Sequence, residues 1–310
     1  MECNNTETES LDLEALLDIY LKEKWLRPQT EQTYQNVVRR WINEMHEKDI
    51  ARISRSDVIS WRNAILSRAR PETWNKYRRH MRAIMNHAVE LELIADNPFA
   101  MVPPARTGRK LKKTVSLQSI ERTLRHLRTD PEFLPPSWFW SMVIRAIFYT
   151  GVRRRQIVAL RWEDVDLEQG TWHVRAETSK THREWMLPLP HAVREDLLEL
   201  YRRTEARLGT PPSKCHQVFN VTLFHSRYKG PQMDEQQLST AFNRLSRALG
   251  ERISPHRLRH TMATLLACQR DLKTLQEMLG HTNISTTLSY IHPDMNRMRE
   301  LMETLPRLAE

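Results

Sequence analysis

One segment in the first half of the chain breaks every hydrophobic periodicity around it. Residues 97 to 113 read NPFAMVPPARTGRKLKK and contain three prolines, one glycine and five basic residues. This composition is typical of a linker between domains rather than of a helix or a strand. A chain of 310 residues also exceeds the size that one hydrophobic core usually organises. The sequence therefore predicts two domains, over residues 1 to 100 and 114 to 310, with a basic linker over residues 101 to 113.

The charge of the chain is positive and unevenly distributed. Lysine and arginine number 48 against 38 aspartates and glutamates, which gives a net charge of +10 at pH 7. Up to residue 105 there are 15 basic and 16 acidic residues, and the remainder holds 33 against 22. Within the first part, residues 55 to 82 carry eight basic residues and two acidic ones. A polyanionic partner is favoured, although charge alone does not separate nucleic acid from an acidic membrane or a merely soluble surface.

Targeting signals and a cysteine framework are both missing from the sequence. It contains no run of eighteen apolar residues, and its amino terminus is acidic where a signal peptide begins basic and continues apolar. The three cysteines are odd in number and widely scattered, so they support neither a disulfide framework nor a metal-ligand cluster. These features predict a cytosolic protein.

The first domain is predicted to be helical. Apolar residues recur three and four positions apart in stretches that begin at Tyr34 and Tyr77. Ser54, followed three residues later by Asp57, has the pattern of a capping box that opens another helix.

Basic residues on the Tyr77 helix lie away from its apolar stripe. They are Lys76, Arg79 and Arg82. They either line a DNA phosphate backbone or form a solvated face, and the pattern leaves both interpretations open.

The second domain is predicted to be mainly helical with one β-hairpin. In residues 170 to 189, TWHV and EWMLPL flank the polar SKTHR and indicate two short strands joined by a turn. A short apolar helix is expected after the Thr-Gly pair at residues 150 and 151. Longer helices are expected near residues 119 to 127, 137 to 149, 191 to 207, 235 to 248, 257 to 268 and 271 to 279. The predicted fold class is therefore mainly α with a small β-hairpin sheet.

Two histidines and an arginine stand close together late in the chain. In HRLRH, His256 and Arg259 are three residues apart and share a helix face, while His260 is expected to project elsewhere. Arginine is seldom fully buried unless it is paired, so this helix is poor core material. A metal site is disfavoured, because these histidines and His281 lack a carboxylate or cysteine at ligand spacing.

Three further segments carry side chains of types that often act in catalysis. Arg153 follows the Thr-Gly pair, Lys180 lies in the predicted hairpin turn, and GHTNISTTLSY joins His281 to Tyr290. Each has an ordinary interpretation when taken alone, namely solvated charge, a turn lysine or a packed tyrosine.

Together, four segments resemble the tyrosine recombinases, also called phage integrases, in order and spacing. TGVR matches the family's first arginine box, SKTHREWMLPL its hairpin lysine with a proline eight residues on, HRLRH its second box, and LGHTNISTTLSY its final histidine and nucleophile. The resemblance covers about residues 114 to 295, whereas the preceding helical domain matches the family's core-binding domain in size and position only. The active-site set that it implies is Arg153, Lys180, His256, Arg259, His281 and Tyr290.

The resemblance implies cleavage of DNA without a metal, ATP or any other cofactor. Tyr290 would attack the phosphorus and form a 3′-phosphotyrosyl link, which conserves the bond energy for rejoining. Arg153 and Arg259 would neutralise the non-bridging oxygens with planar forks. His256 would act as the base and His281 as a donor to the phosphate, and the reverse assignment stays open.

Two more positions follow from the same resemblance. Lys180 would protonate the departing 5′-oxygen. Gln156 stands where the family often has glutamate, three residues after the first arginine, so the fixing of Arg153 is expected to be weaker.

The implied partners are double-stranded DNA recombination sites, other protomers in a tetrameric synapse, and accessory DNA-bending proteins, with no membrane. The linker would lie across the DNA, and a tail helix from about residue 294 would dock on a neighbouring protomer. The chain would act in the cytoplasm, associated with the nucleoid when bound to DNA. The linker residues expected at the DNA are Arg109, Lys110, Lys112 and Lys113.

Several functions are compatible with these residues. The leading hypothesis is site-specific recombination by the integrase of a phage or another mobile element, in a compact chain of the Cre or Xer type. Resolution of chromosome or plasmid dimers by an Xer-type enzyme uses the same residues, and type IB topoisomerases use related chemistry. A DNA-binding regulator without catalysis is the alternative from another class, and the complete set of six residues argues against it.

Overall fold

The structure is a computed structural model that describes residues 11 to 108, 112 to 179, 183 to 267 and 271 to 291, together with residues 299, 302 and 304. The chain divides into two compact units, Met1–Arg109 and Lys110–Glu310. Arg109, Lys110 and Lys180 lie outside the described residues, as does nearly all of the predicted tail helix. No helix among the described residues is both long and apolar enough to cross a bilayer.

The described part of the first unit is helical, as predicted. The capping box is confirmed, because Asp57 N–H donates to Ser54 Oγ and Ser54 N–H donates to the Asp57 carboxylate. Two of the helices begin with proline, whose fixed φ suits the first helical position. The helices are α1 (Leu13–Glu23), α2 (Pro28–Met45), α3 (Arg55–Arg68) and α4 (Pro71–Glu90).

An aromatic cluster forms the centre of this unit. Trp41 and Trp61 meet edge to face with ring centroids 5.1 Å apart, and Phe99 lies 5.2 Å from Trp41. Such pairs add to the free energy gained from burying apolar area. Phe99 follows α4 in sequence, so the chain beyond the last helix contributes to the core.

The first unit continues into the segment that the sequence assigned to the linker. Val102 is fully buried, and its carbonyl accepts a hydrogen bond from Arg78 Nε. Asn75 of α4 pairs through both amide atoms with the backbone of Ala105, at 2.8 and 2.9 Å. Val102 and Ala105 are therefore fixed to α4.

The second unit combines helices with a three-stranded antiparallel sheet. The two predicted strands pair with Trp172 opposite Leu187, and a short third strand that the sequence pattern missed joins the edge. The strands are β1 (Val165–Asp166), β2 (Thr171–Val174) and β3 (Trp185–Pro188). The helices are α5 (Leu117–Thr129), α6 (Ser137–Thr150), α7 (Arg154–Ala159), α8 (His191–Leu208), α9 (Glu235–Ala248), α10 (Pro255–Ala267), α11 (Leu272–Met278) and α12 (Ile284–Leu288).

Helix α6 is the centre of the second unit. Most faces of this helix are buried, and it packs against α5, α8 and α10. It ends at Gly151, whose φ of 63° is the left-handed conformation that glycine adopts without strain. The contact between α6 and α10 brings the TGVR segment next to the HRLRH segment.

Candidate active site

Arg259 is the most deeply buried charged group in the second unit's site. It lies on α10 with a relative exposure of 2%. Its Nη1 donates to the carbonyl of Gly151, and its Nη2 donates to the carbonyl of Leu279 at 2.8 Å and to Nε2 of His281 at 3.1 Å. Burial and, secondly, the charge of Arg153 lower the pKa of Arg259 to about 10, so the guanidinium stays charged at neutral pH.

Two glycines permit the backbone to approach Arg259. Gly151 and Gly280 have φ angles of 63° and 60°, which favour glycine. A Cβ atom on Gly151 would overlap the side chain of Met262, and one on Gly280 would overlap the indole ring of Trp185. Strand β3 therefore packs directly against the turn that leads to His281.

Arg153 follows the end of α6 and precedes α7. Its backbone N–H donates to Oε1 of buried Gln156 at 2.7 Å, so this glutamine closes the first turn of α7. Arg153 Nη1 and Gln156 Nε2 are both buried, and neither has a hydrogen-bond partner among the described residues. Arg153 also lines a cleft, and a buried guanidinium donor without a partner beside a cleft is the chemistry expected of an anion site.

Arg153, His256 and Arg259 line one cleft of about 510 Å³. Burial, and then the charge of Arg259, lower the pKa of His256, so its imidazole is neutral at neutral pH and able to accept a proton. The cleft thus combines two guanidinium groups with a neutral base, an arrangement suited to a phosphate that is attacked by an oxygen nucleophile.

His281 has a defined tautomer. Arginine only donates, so Nε2 of His281 must accept from Arg259, and the proton lies on Nδ1 and points to Thr287 Oγ1 at 3.0 Å. Burial and the charge of Arg259 lower its pKa to about 4, in agreement with a neutral ring. The expected donor role toward a phosphate needs a proton on Nε2, and Nε2 carries none while it accepts from Arg259.

Tyr290 lies beside this group. It is 3% exposed, its ring is parallel to that of His281 with centroids 6.0 Å apart, and His260 contacts it edge-on at 5.4 Å. The phenol group raises the pKa of Arg153 and Arg259, which opposes the lowering by burial. The hydroxyl group is therefore within electrostatic reach of both arginines.

The prediction for His260 is wrong. It lies 4.0 Å from the ring of His256 and against Tyr290, and its Nδ1 donates to the carbonyl of Lys113 at 3.3 Å. Burial lowers its pKa to about 4. The signal was present in HRLRH, because residues four apart on a helix are neighbours on one face.

Thr287 is a second residue that the sequence reasoning missed. Its fully buried hydroxyl group accepts a hydrogen bond from His281. Its backbone carbonyl accepts another from the backbone N–H of Tyr290 at 3.0 Å. One threonine on α12 therefore positions both the histidine and the tyrosine.

The residues predicted to bind DNA are distributed over both units. Lys76, Arg79 and Arg82 are exposed on α4. In the second unit, Lys113 is exposed, whereas Lys112 is partly buried with Nζ 5.9 Å from the ring centroid of Tyr290. Among the described residues, no group of three histidine, cysteine or acidic side chains is arranged to hold a metal ion.

Replacing Thr287 with valine should destabilise the second unit. Thr287→Val keeps the shape of the side chain but leaves the buried Nδ1–H of His281 without an acceptor, at a cost of about 1–3 kcal/mol. The exposed neighbour offers a matched control, Thr286→Val, expected to stay within about 0.5 kcal/mol of the unsubstituted chain. Urea unfolding measures both, and equal effects would contradict the assigned hydrogen bond.

The stability of the second unit should fall on acidification. His260 and His281 have folded pKa values near 4 and ordinary values of 6.5, so between these pH values the unfolded chain binds protons that the folded chain does not. Stability is therefore fully present above pH 6.5 and decreases toward pH 4, by a few kcal/mol in order of magnitude.

The variant His260→Asn tests this pH dependence, because asparagine keeps a donor for the Lys113 carbonyl but does not titrate. Its melting temperature should drop less between pH 7 and pH 5 than that of the unsubstituted chain. Exposed His191 provides the control, since His191→Asn should leave the pH dependence unchanged. A drop in His260→Asn as steep as in the unsubstituted chain would show that His260 contributes nothing.

Comparison with known proteins identifies relatives along the whole chain. A putative tyrosine recombinase XerC from Pseudomonas syringae is 34% identical over 305 residues, which cover 94% of this chain and 64% of the relative. The tyrosine recombinase XerD of Pseudomonas aeruginosa is 31% identical over 304 residues, covering 93% of this chain and 95% of the relative. This chain thus spans less than two thirds of the length of the first of them.

The fold also has a close counterpart among solved structures. The integrase of transposon Tn1549, in complex with a circular intermediate DNA, superposes with a TM-score of 0.73 at 19% identity, over 95% of this chain and 99% of that chain. The model of the phage integrase family matches residues 114 to 297. This match includes every segment that forms the site around Arg259, and the chain belongs to the phage integrase family of tyrosine recombinases.

Proposed function

We propose that this protein is a site-specific DNA recombinase that cleaves and rejoins strands through a 3′-phosphotyrosyl intermediate on Tyr290. The observation that carries the proposal is the convergence of Arg153, Arg259 and the neutral His256 on one cleft, with the Tyr290 phenol within reach of both guanidinium charges. A buried tyrosine with no chemical task would not need two arginines beside it.

The two arginines have different parts in this mechanism. Arg259 is held rigidly by three acceptors, so it presents a preorganised positive charge to the phosphate. Arg153 has an unpaired Nη1, which would donate to a non-bridging oxygen. Together they stabilise the charge of a phosphorane-like transition state without a metal ion.

Proton transfers complete the reaction. His256 takes the proton of the attacking phenol, as its neutral ring allows. Lys180, which matches the family's hairpin lysine in sequence, gives a proton to the departing 5′-oxygen. The 5′-hydroxyl of another strand then attacks the phosphotyrosyl ester, which rejoins the DNA and releases the tyrosine without ATP.

We further propose that the first unit binds DNA through the exposed basic side chains of α4. Lys76, Arg79 and Arg82 are exposed there, while Arg78 is buried and used in packing. The Tn1549 integrase was solved in complex with DNA, which supports DNA as the partner of this chain. Recombination of two duplexes would use a tetramer of protomers, with accessory bending proteins as further partners.

Two biological roles fit this chemistry. Integration or excision of a phage or another mobile element is the first, and the likeness to a transposon integrase supports it. Resolution of chromosome or plasmid dimers is the second, and the XerC and XerD names of the relatives support it. Sequencing the DNA around the gene distinguishes them, because repeats that resemble attachment sites would flank a mobile element.

The variant Tyr290→Phe should bind its DNA site and form no protein–DNA adduct that survives denaturant, because only the nucleophilic oxygen is missing. Adduct formation by the unsubstituted chain should persist in excess EDTA. Adducts in the phenylalanine variant would contradict the assignment of the nucleophile. Binding without any adduct from the unsubstituted chain would favour a regulator.

A DNA substrate with sulfur in place of the bridging 5′-oxygen tests Lys180. Its thiolate leaving group needs little protonation, so Lys180→Ala should cleave ordinary DNA slowly and approach the rate of the unsubstituted chain on the sulfur substrate. Arg259→Ala should remain slow on both. An equal defect of Lys180→Ala on both substrates would show that the lysine only binds phosphate.

A further inference from the structure

Lys112 lies at the nucleophile, although its position in the sequence assigns it to the linker. Its Nζ is over the ring of Tyr290, 5.9 Å from the centroid. This distance is within the range in which a cation is attracted to the face of an aromatic ring. The side chain is partly buried, unlike that of its exposed neighbour Lys113.

The backbone after Lys112 is fixed to the helix that carries Arg259. The carbonyl of Lys113 accepts from His260, and Val115 exchanges two hydrogen bonds with the hydroxyl of Thr261, at 2.8 and 3.0 Å. Val115 is also buried in the core of the second unit. These hydrogen bonds fix the backbone of residues 113 to 115 on α10, and they therefore fix the backbone position from which the Lys112 side chain extends.

The charge of Lys112 acts on the same group of side chains as the two arginines. It contributes to the lowered pKa of His256, His260 and His281. It forms no ion pair with any residue that the structure describes, so no described carboxylate neutralises it there. Tyr290 thus lies among three positive charges.

We propose that Lys112 is a positioning residue that holds the ring of Tyr290 beside Arg153 and Arg259 for attack on the phosphate. This inference rests on the proposed function and adds a residue to it. The cation–π contact restrains the ring where the phenol interacts electrostatically with both guanidinium groups. A lysine that only contacted a DNA phosphate would instead extend into solvent, as Lys113 does.

Single-turnover cleavage of a nicked DNA substrate at saturating concentration tests the proposal in the full chain. Lys112→Met keeps the length of the side chain and removes the charge, so cleavage should slow by about 2- to 30-fold, with DNA affinity little changed. Lys112→Arg keeps a cation for the ring and should restore most of the rate. Lys113→Met should instead weaken binding and reduce its salt dependence, because an exposed phosphate contact is lost.

The sulfur-bridged substrate separates the nucleophile from the leaving group. Lys112→Met should stay slow on it, because the restrained group is the attacking tyrosine. Recovery on this substrate would assign Lys112 to the leaving group and overturn the proposal. An unchanged rate at saturating DNA, in a variant that melts at the same temperature as the unsubstituted chain, would also overturn it.

The same experiment separates this proposal from the proposed function. If the unsubstituted chain forms a Tyr290 adduct and Lys112→Met cleaves at the same rate, only the role of Lys112 fails. If the unsubstituted chain forms no adduct, the proposed function itself fails.

Discussion

The second unit depends on keeping one guanidinium charge inside the protein. A buried charge is tolerated only when its donors are satisfied, and Arg259 finds its acceptors on the Gly151 turn, the Leu279 carbonyl and the ring of His281. The end of α6, helix α10 and the turn after α11 therefore have to converge on one point. In the proposed reaction, the same hydrogen bonds that stabilise this convergence also keep the charge preorganised for a phosphate.

A series of hydrogen bonds through neutral groups connects Arg259 to the backbone of Tyr290. Arg259 fixes the tautomer of His281, His281 donates to Thr287, and Thr287 holds the backbone of Tyr290. The imidazoles stay neutral because burial and nearby cations disfavour a further positive charge. A protonated ring would repel the arginines, which is why the site's geometry and its acid sensitivity have the same origin.

Much of this arrangement could be predicted from the sequence. Helical periodicity located most of the helices, and the resemblance of four segments to the tyrosine recombinases selected Arg153, His256, Arg259, His281 and Tyr290, which the structure brings together. His260 was mispredicted although its spacing from His256 held the signal, whereas the other misses are contacts between segments distant in sequence or on short elements. The packing of Val102 and the roles of Thr287 and Lys112 depend on tertiary neighbours that no local pattern records.

Gln156 caps α7, because its side chain accepts from the backbone N–H of Arg153. The unpaired Nη1 of Arg153 shows that Gln156 does not hold the guanidinium group as a carboxylate would.

In the proposed function, the tyrosine held in this arrangement becomes covalently joined to DNA. Trapping the full chain on a nicked substrate, followed by digestion of protein and DNA and mass spectrometry of the peptides, measures this directly. We expect a nucleotide attached through its 3′-phosphate to Tyr290. A nucleotide on any other residue, or one joined through a 5′-phosphate, would contradict it.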